Sequence, residues 1–207
     1  MKIGIMGGTF NPIHNGHIAL AEAALQQYQL DCIWFMPSGL PAHKSNSELL
    51  SAEERFHMVK LALAGKNNFQ ASSYEIDRPG FTYTADTLTA LKKEYSGEEF
   101  YFIIGGDSLM KFHHWVAPEV ISSHAILLAA GRNGYSRKEL KQQAEHLKAM
   151  FQTKVLFLDM PEYPISSNEI RSLCKKREYK KIKNYVPQAV CDYMIKQNLY
   201  QENQAGV

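Results

Sequence analysis

Lys2-Ile3-Gly4-Ile5-Met6, followed by Gly7-Gly8-Thr9-Phe10-Asn11-Pro12-Ile13-His14-Asn15-Gly16-His17, is the stretch on which the fold turns. The first five residues form a short apolar run with β-branched residues and read as a buried strand. A glycine-rich turn follows, and then a helix is expected over about 16–28. Glycines after a strand let the backbone approach a ligand closely, and a helix N-terminus attracts phosphate through its unpaired N–H groups. His14 and His17, three residues apart where the helix begins, are expected to reach one anion and donate to its oxygens as charge builds there. Gly16 is read as leaving room for it. An ordinary tight turn would account for Gly-Gly alone, but not for the whole string. Neither G-x-x-x-x-G-K-[ST] nor G-x-G-x-x-G occurs at this turn, which excludes a P-loop and argues against a tightly held dinucleotide cofactor.

The same alternation continues down the chain. Strands are expected at 32–36, near 69–76, at 100–104, at Ala125–Ala130 and at Val155–Leu158. Helices are expected from Ser51, with Glu54 closing a capping box, and over 84–95. Further ones are expected over 136–150, with Ser136 and Glu139 as a second box, from 166, and from Pro187 as a first helical residue. Strand–helix alternation of this kind gives a doubly wound α/β sheet, mostly parallel, with helices on both faces. Ligands in such folds bind beyond the carboxyl ends of the strands. Residues 1–200 read as a single domain and 201–207 as a frayed tail.

Composition narrows the functional class. The 207 residues are 45% apolar and 21% charged, with a formal net charge of +2. That balance argues for a soluble protein and gives no global field for nucleic acid or membrane partners. Apolar runs such as Ala125–Ala130 are far too short to span a bilayer. Three scattered cysteines, Cys32, Cys174 and Cys191, with no recognisable signal peptide, lead to the expectation of a cytoplasmic protein. The oligomeric state stays open, a homo-oligomer included. Metal-ligand spacing is lacking at His14/His17 and at His113-His114, so no protein-bound metal site is expected.

Four further segments fall at strand or helix ends. Pro37-Ser38-Gly39-Leu40-Pro41-Ala42-His43-Lys44 reads as a rigid loop suited to presenting His43 and Lys44 to a phosphate, although for this segment taken alone an exposed loop lysine is the more ordinary reading. Arg78–Leu88 contains Tyr83-Thr84-Ala85-Asp86-Thr87-Leu88, where Thr84 is expected to cap a helix. Ile104-Gly105-Gly106-Asp107-Ser108-Leu109 follows the strongest strand, and Asp107 suits ribose hydroxyls or water around a metal. Its Gly-Asp-Ser-Leu matches the nucleophile motif of GDSL hydrolases, but no Asp in the chain is followed three residues later by His to activate that serine. Ile165-Ser166-Ser167-Asn168-Glu169-Ile170-Arg171 sets a helix start, two hydroxyls and a guanidinium around a polyphosphate. Arg132, after the Ala125–Ala130 strand, is a further candidate.

The first string resembles the HxGH signature of the nucleotidyltransferase superfamily, and GGTFNPIHNGH is similar to that of bacterial nicotinate-nucleotide adenylyltransferases. Asn11 stands where that family more often has Asp, and Ala42 where it has a second proline. The PAHK, YT-x-DTL, IGxDxxxxxxxW and ISSxxIR segments follow in the family's order. The resemblance implies a Rossmann-like domain with a small C-terminal helical part. It implies adenylyl transfer from ATP to nicotinate mononucleotide in NAD biosynthesis, with Mg²⁺ accompanying ATP. Gly7, Gly8, Thr9, Phe10, Gly105, Asp107, Arg132, Ser166, Ser167 and Arg171 would then serve ATP. His43, Lys44, Thr84 and Trp115 would serve the mononucleotide, with Trp115 against the pyridine ring and the start of the Thr84 helix at the nicotinate carboxylate. A phosphate monoester is largely a dianion at neutral pH, so the nucleophile requires no general base. It requires in-line placement and charge neutralisation, assigned to His14 and His17 at the α- and β-phosphates, with no covalent intermediate.

Overall fold

The computed structural model describes residues 1–41, 48–131, 135–161 and 163–201. In chain order the elements are β1 (Lys2–Gly8), α1 (Asn15–Gln27), β2 (Cys32–Pro37), β3 (Leu40–Pro41), α2 (Ala52–Leu63) and β4 (Phe69–Ala71). Then come β5 (Phe81–Thr82), α3 (Thr84–Glu94), β6 (Glu99–Gly105), α4 (Gly106–Lys111), a 3₁₀ turn (Phe112–His114) and α5 (Pro118–His124). The chain continues through β7 (Ala125–Ala130), α6 (Arg137–Phe151), β8 (Val155–Leu158), α7 (Ser167–Lys175), α8 (Tyr179–Ile182) and α9 (Gln188–Lys196). Six strands form one sheet in the order β4-β2-β1-β6-β7-β8, and every pairing in it is parallel. The doubly wound expectation is thus met, with the order reversing between β1 and β6.

Both faces of this sheet are covered, which explains the near-continuous apolar strands. Ile3, Ile5, Phe100, Phe102, Leu127 and Ala129 face a layer made by α3, α4, α5 and α6. Their alternate neighbours Met6, Tyr101, Ile103, Leu128 and Ala130 face α1, α2 and the C-terminal helices α7 and α9. The expected capping boxes form at Ser51/Glu54 and Ser136/Glu139, and a third closes at Ser166/Glu169.

Three boundaries differ from the sequence reading. The strand expected over 69–76 ends at Ala71, because Ser72 N–H still donates to Phe35 O (2.8 Å) but Ile76 N–H turns back to Ser73 O (2.8 Å). Thr84 is the first helical residue of α3, not its cap. The cap is Tyr83, whose extended backbone places its carbonyl to accept the first helical bond, from Thr87 N (3.1 Å). Pro187 likewise precedes α9 rather than beginning it, since its ψ of 144° is extended. At the C-terminus Gln201 is tied by its amide to Tyr179 Oη (2.6 Å), and residues 202–207 lie outside the described residues.

Candidate active site

The carboxyl ends of β1 and β6 part at the reversal and open a cavity of about 510 Å³. Gly7, Gly8 and Thr9 form one wall with His17, and Gly105, Asp107 and Ser108 form the wall across from β6. Thr84 and Trp115 also line the cavity. With Ser38 of the Pro37–Lys44 segment, residues from four separated motifs therefore share one space, at the position where an open α/β sheet binds its ligands.

The two histidines are not equivalent. His17 lines the cavity, whereas His14 is only 2% exposed and stacks behind it, ring centroids 3.6 Å apart. The His14 backbone N–H donates to His17 Nδ1 (3.2 Å), so a neutral His17 ring carries its proton on Nε2. Phe10, buried and at φ 48°, packs edge-on against the same ring with a centroid separation of 5.1 Å. Its side chain supports His17 and does not face the cavity. Gly16 does not leave room for an anion as expected. A Cβ there would meet His14 Nδ1 at 3.0 Å and Tyr163 Cβ at 3.4 Å, so the glycine makes room for the His14 ring itself. The N–H of Asn15, first in α1, is taken by Tyr185 O at 2.8 Å.

Trp115 is part core and part cavity wall. One part packs on Phe102 (centroids 6.1 Å, edge-on) and Phe112 (5.5 Å), and the remainder is cavity wall. Asp107 is exposed in the first turn of α4.

Ser166, Ser167 and Arg171 form a layer behind the Gly7–His17 loop rather than part of the cavity wall. Ser166 Oγ closes its box with Glu169, and Ser167 Oγ donates to Pro12 O (2.9 Å). The Arg171 guanidinium is 8% exposed; it donates to Asn11 O (2.9 Å), Asn168 Oδ1 (2.5 Å) and Glu48 Oε2 (3.0 Å). Lys175, one turn further on, also pairs with Glu48, and the two cations hold that carboxyl below its usual range. His43, Lys44 and Arg132 lie outside the described residues.

Several residues at the site were missed by the sequence reading. Glu75 lines the cavity and accepts from Thr87 Oγ1 (2.8 Å), and burial raises its pKa. Nothing in its loop signals this, because the chain brings it there only through tertiary packing. Asn11 is a junction: its amide donates to Glu48 O (3.0 Å), and its Oδ1 accepts from Leu50 N (3.3 Å) and Tyr200 Oη (2.8 Å). Arg55 did carry a signal. It stands at the head of the buried stripe Arg55, Met58, Val59, Ala62 and Leu63, where the helical period calls for an apolar side chain.

Fold and cavity together define a nucleotide-handling protein of the doubly wound α/β class. Residues 5–173 match the cytidylyltransferase-like family. A Lachnoclostridium phytofermentans protein named "Probable nicotinate-nucleotide adenylyltransferase" is 45% identical over 199 residues, covering 96% of this chain and 98% of that one. A Clostridium botulinum protein of the same name is 38% identical, covering 97% and 98%. The solved Plasmodium falciparum nicotinic acid mononucleotide adenylyltransferase complexed with NaAD shares the fold at 23% identity, with a TM-score of 0.80 and coverage of 96% and 97%. The chain belongs to the nicotinate-nucleotide adenylyltransferase family within the cytidylyltransferase-like proteins.

Proposed function

We propose that the protein transfers AMP from ATP to nicotinate mononucleotide, giving nicotinate adenine dinucleotide and pyrophosphate, a step in NAD biosynthesis. The observation that carries this reading is that the Gly7–Thr9 turn, His17, Thr84 and Trp115 all line one cavity at the β1/β6 reversal. The relatives at 45% and 38% identity, matched along nearly their whole length, bear the same activity in their names.

The chain's own groups suit the reaction. The mononucleotide phosphate attacks the α-phosphate of ATP as a dianion, so no residue has to remove a proton. His17 offers Nε2–H to phosphate oxygens in the transition state, held in orientation by the His14 N–H bond and the Phe10 edge. His14 sits one ring further back, where it fixes and polarises His17. Ser166, Ser167 and Arg171 lie beside the loop on which the triphosphate rests; to reach the phosphates, Arg171 exchanges its Glu48 partner for them. His43, Lys44 and Arg132 keep their proposed phosphate roles. The triphosphate carries Mg²⁺ in this reading, which neutralises charge on the leaving pyrophosphate. Asp107 is exposed on the cavity wall, and in this reading it would meet the ion's water shell.

At the mononucleotide end, Trp115 supplies a flat face for the pyridine ring, and the first-turn N–H groups of α3 favour the nicotinate carboxylate. Glu75 is also on the wall at this end. A carboxyl whose burial favours the protonated form serves there as a donor to the substrate's carboxylate. We further propose action as one domain over residues 1–200, without nucleic acid partners, in the cytoplasm, a compartment suited to the free thiols of Cys32, Cys174 and Cys191. Among the described residues no helix is long and apolar enough to cross a membrane.

The test is direct: purified protein, ATP and Mg²⁺ with a panel of mononucleotides, followed by identification of the dinucleotide and of pyrophosphate. Stoichiometric nicotinate adenine dinucleotide and pyrophosphate support the assignment. Absence of both, or ATP hydrolysis without a dinucleotide, rejects it.

A further inference from the structure

Arg55 is 1% exposed, and its guanidinium is spent on backbone carbonyls. Nε donates to Leu50 O (3.1 Å), Nη1 to Thr9 O (2.7 Å), and Nη2 to both Ser38 O (2.7 Å) and Gly39 O (2.9 Å). None of these acceptors is a carboxylate, so the charge is buried without a formal counter-ion among them. That is a costly way to fill a helix stripe, since an apolar side chain would carry no desolvation penalty. What an apolar side chain cannot do is hold several loops at once, and the planar fork of arginine can.

The loops it holds are the ones that matter. β1 and β2 run side by side as far as Gly8↔Pro37, and the last bond linking their ends is Ser38 N to Gly8 O (2.9 Å). Beyond that point the two chains separate. One becomes the Thr9–His17 turn; the other becomes the loop that leads to His43 and Lys44. Thr9 and Ser38 both line the cavity. Arg55 is the cross-brace just past the end of the ladder, where backbone pairing no longer sets their spacing. The brace is closed from the far side as well: a Cβ on Gly39 would meet Glu75 O at 2.5 Å, so this loop is seated against the Glu75 segment and the approach requires glycine.

We propose that Arg55 is a positioning residue for the transfer step, clamping the turn that carries ATP in register with the loop that presents the mononucleotide phosphate. This rests on the adenylyl-transfer reading above. In-line attack depends on the relative placement of two ligands seated on two different loops, and a misplacement of about 1 Å can cost on the order of 10²-fold in rate. Loss of the brace leaves each loop able to bind its own ligand and impairs only their alignment. The expected signature is therefore a fall in kcat with both KM values preserved.

The experiment compares wild type, Arg55→Ala and Arg55→Lys for pyrophosphate release with ATP and nicotinate mononucleotide, each varied at saturation of the other, alongside thermal melts and binding of each substrate alone. Arg55→Ala is expected to lower kcat about 10²-fold with both KM values within about threefold. Arg55→Lys, which keeps the charge but cannot span the carbonyls, is expected to fall between the two. A folded variant with near-wild-type kcat overturns the inference, and so does a loss expressed as weakened binding of either substrate. If neither variant folds, Arg55 belongs to the core rather than the loops and the inference fails. An inactive wild type refutes the adenylyl-transfer reading instead, and the inference falls with it.

Discussion

Two glycine-rich turns face each other across the cavity, and they are built in opposite ways. The turn after β1 is gripped from behind by residues distant in sequence. Arg55 holds Thr9 O, Arg171 holds Asn11 O, Ser167 holds Pro12 O, and Tyr200 holds the Asn11 side chain. The turn after β6 is open where it meets the cavity: a Cβ on Gly105 would meet nothing within 4 Å and Asp107 is exposed, and its hold from a distant element comes one turn later, where Gln143 Nε2 donates to Leu109 O (3.3 Å) and Met110 O (3.4 Å). Its one large feature, Trp115, is seated on Phe102 and Phe112. A braced turn suits a step whose rate depends on sub-ångström placement, and an open one suits admitting and releasing a ligand. Changes in the first turn should therefore appear in kcat, and changes in the second in KM.

The largest expected effect breaks this contrast if it fails. His17→Ala should lower kcat by about 10²–10³, with the KM values within a few-fold, since one donor to transition-state charge is lost. Turnover near wild type would remove the histidine from the chemistry. On the other side, Trp115→Ala should raise KM for the mononucleotide by about 5- to 150-fold, corresponding to roughly 1–3 kcal/mol of lost area and stacking. KM for ATP should hardly change. An equal rise for both substrates, or simple unfolding, would make Trp115 a core residue only.

A smaller effect sharpens the second side. Burial raises the pKa of Glu75, so its neutral, donating form persists above the ordinary carboxyl range and is lost as pH rises through the elevated value. KM for the acid substrate should therefore increase with pH across that window, and Glu75→Gln, which stays neutral, should flatten the profile. A pH dependence unaltered in Glu75→Gln would place the titration elsewhere.

Much of this was legible in sequence because the relevant signals are local. The short apolar runs at Ile3–Met6 and Ala125–Ala130, the Ser/Glu boxes and the glycines after two strands each need only a few neighbours to be read. The division of labour between His14 and His17 was not legible, because spacing places both at one helix start and only packing decides which ring stands behind the other. Glu75 and Asn11 were missed for the same reason: their partners Thr87, Glu48 and Tyr200 are 12, 37 and 189 residues away. Arg55 lies between these cases. Its position in the apolar stripe of α2 was visible, but the carbonyls it binds were not.

Selectivity of the cavity for a carboxylate is tested most directly by kcat/KM for nicotinate mononucleotide against nicotinamide mononucleotide, at the same Mg²⁺ and ATP. The helix start at Thr84 and a Glu75 carboxyl whose burial favours its protonated form both favour the acid, and an amide leaves buried donors unmatched at about 1–3 kcal/mol each. The predicted preference for the acid is on the order of 10²-fold. Comparable values for the two substrates, or a preference for the amide, would contradict it.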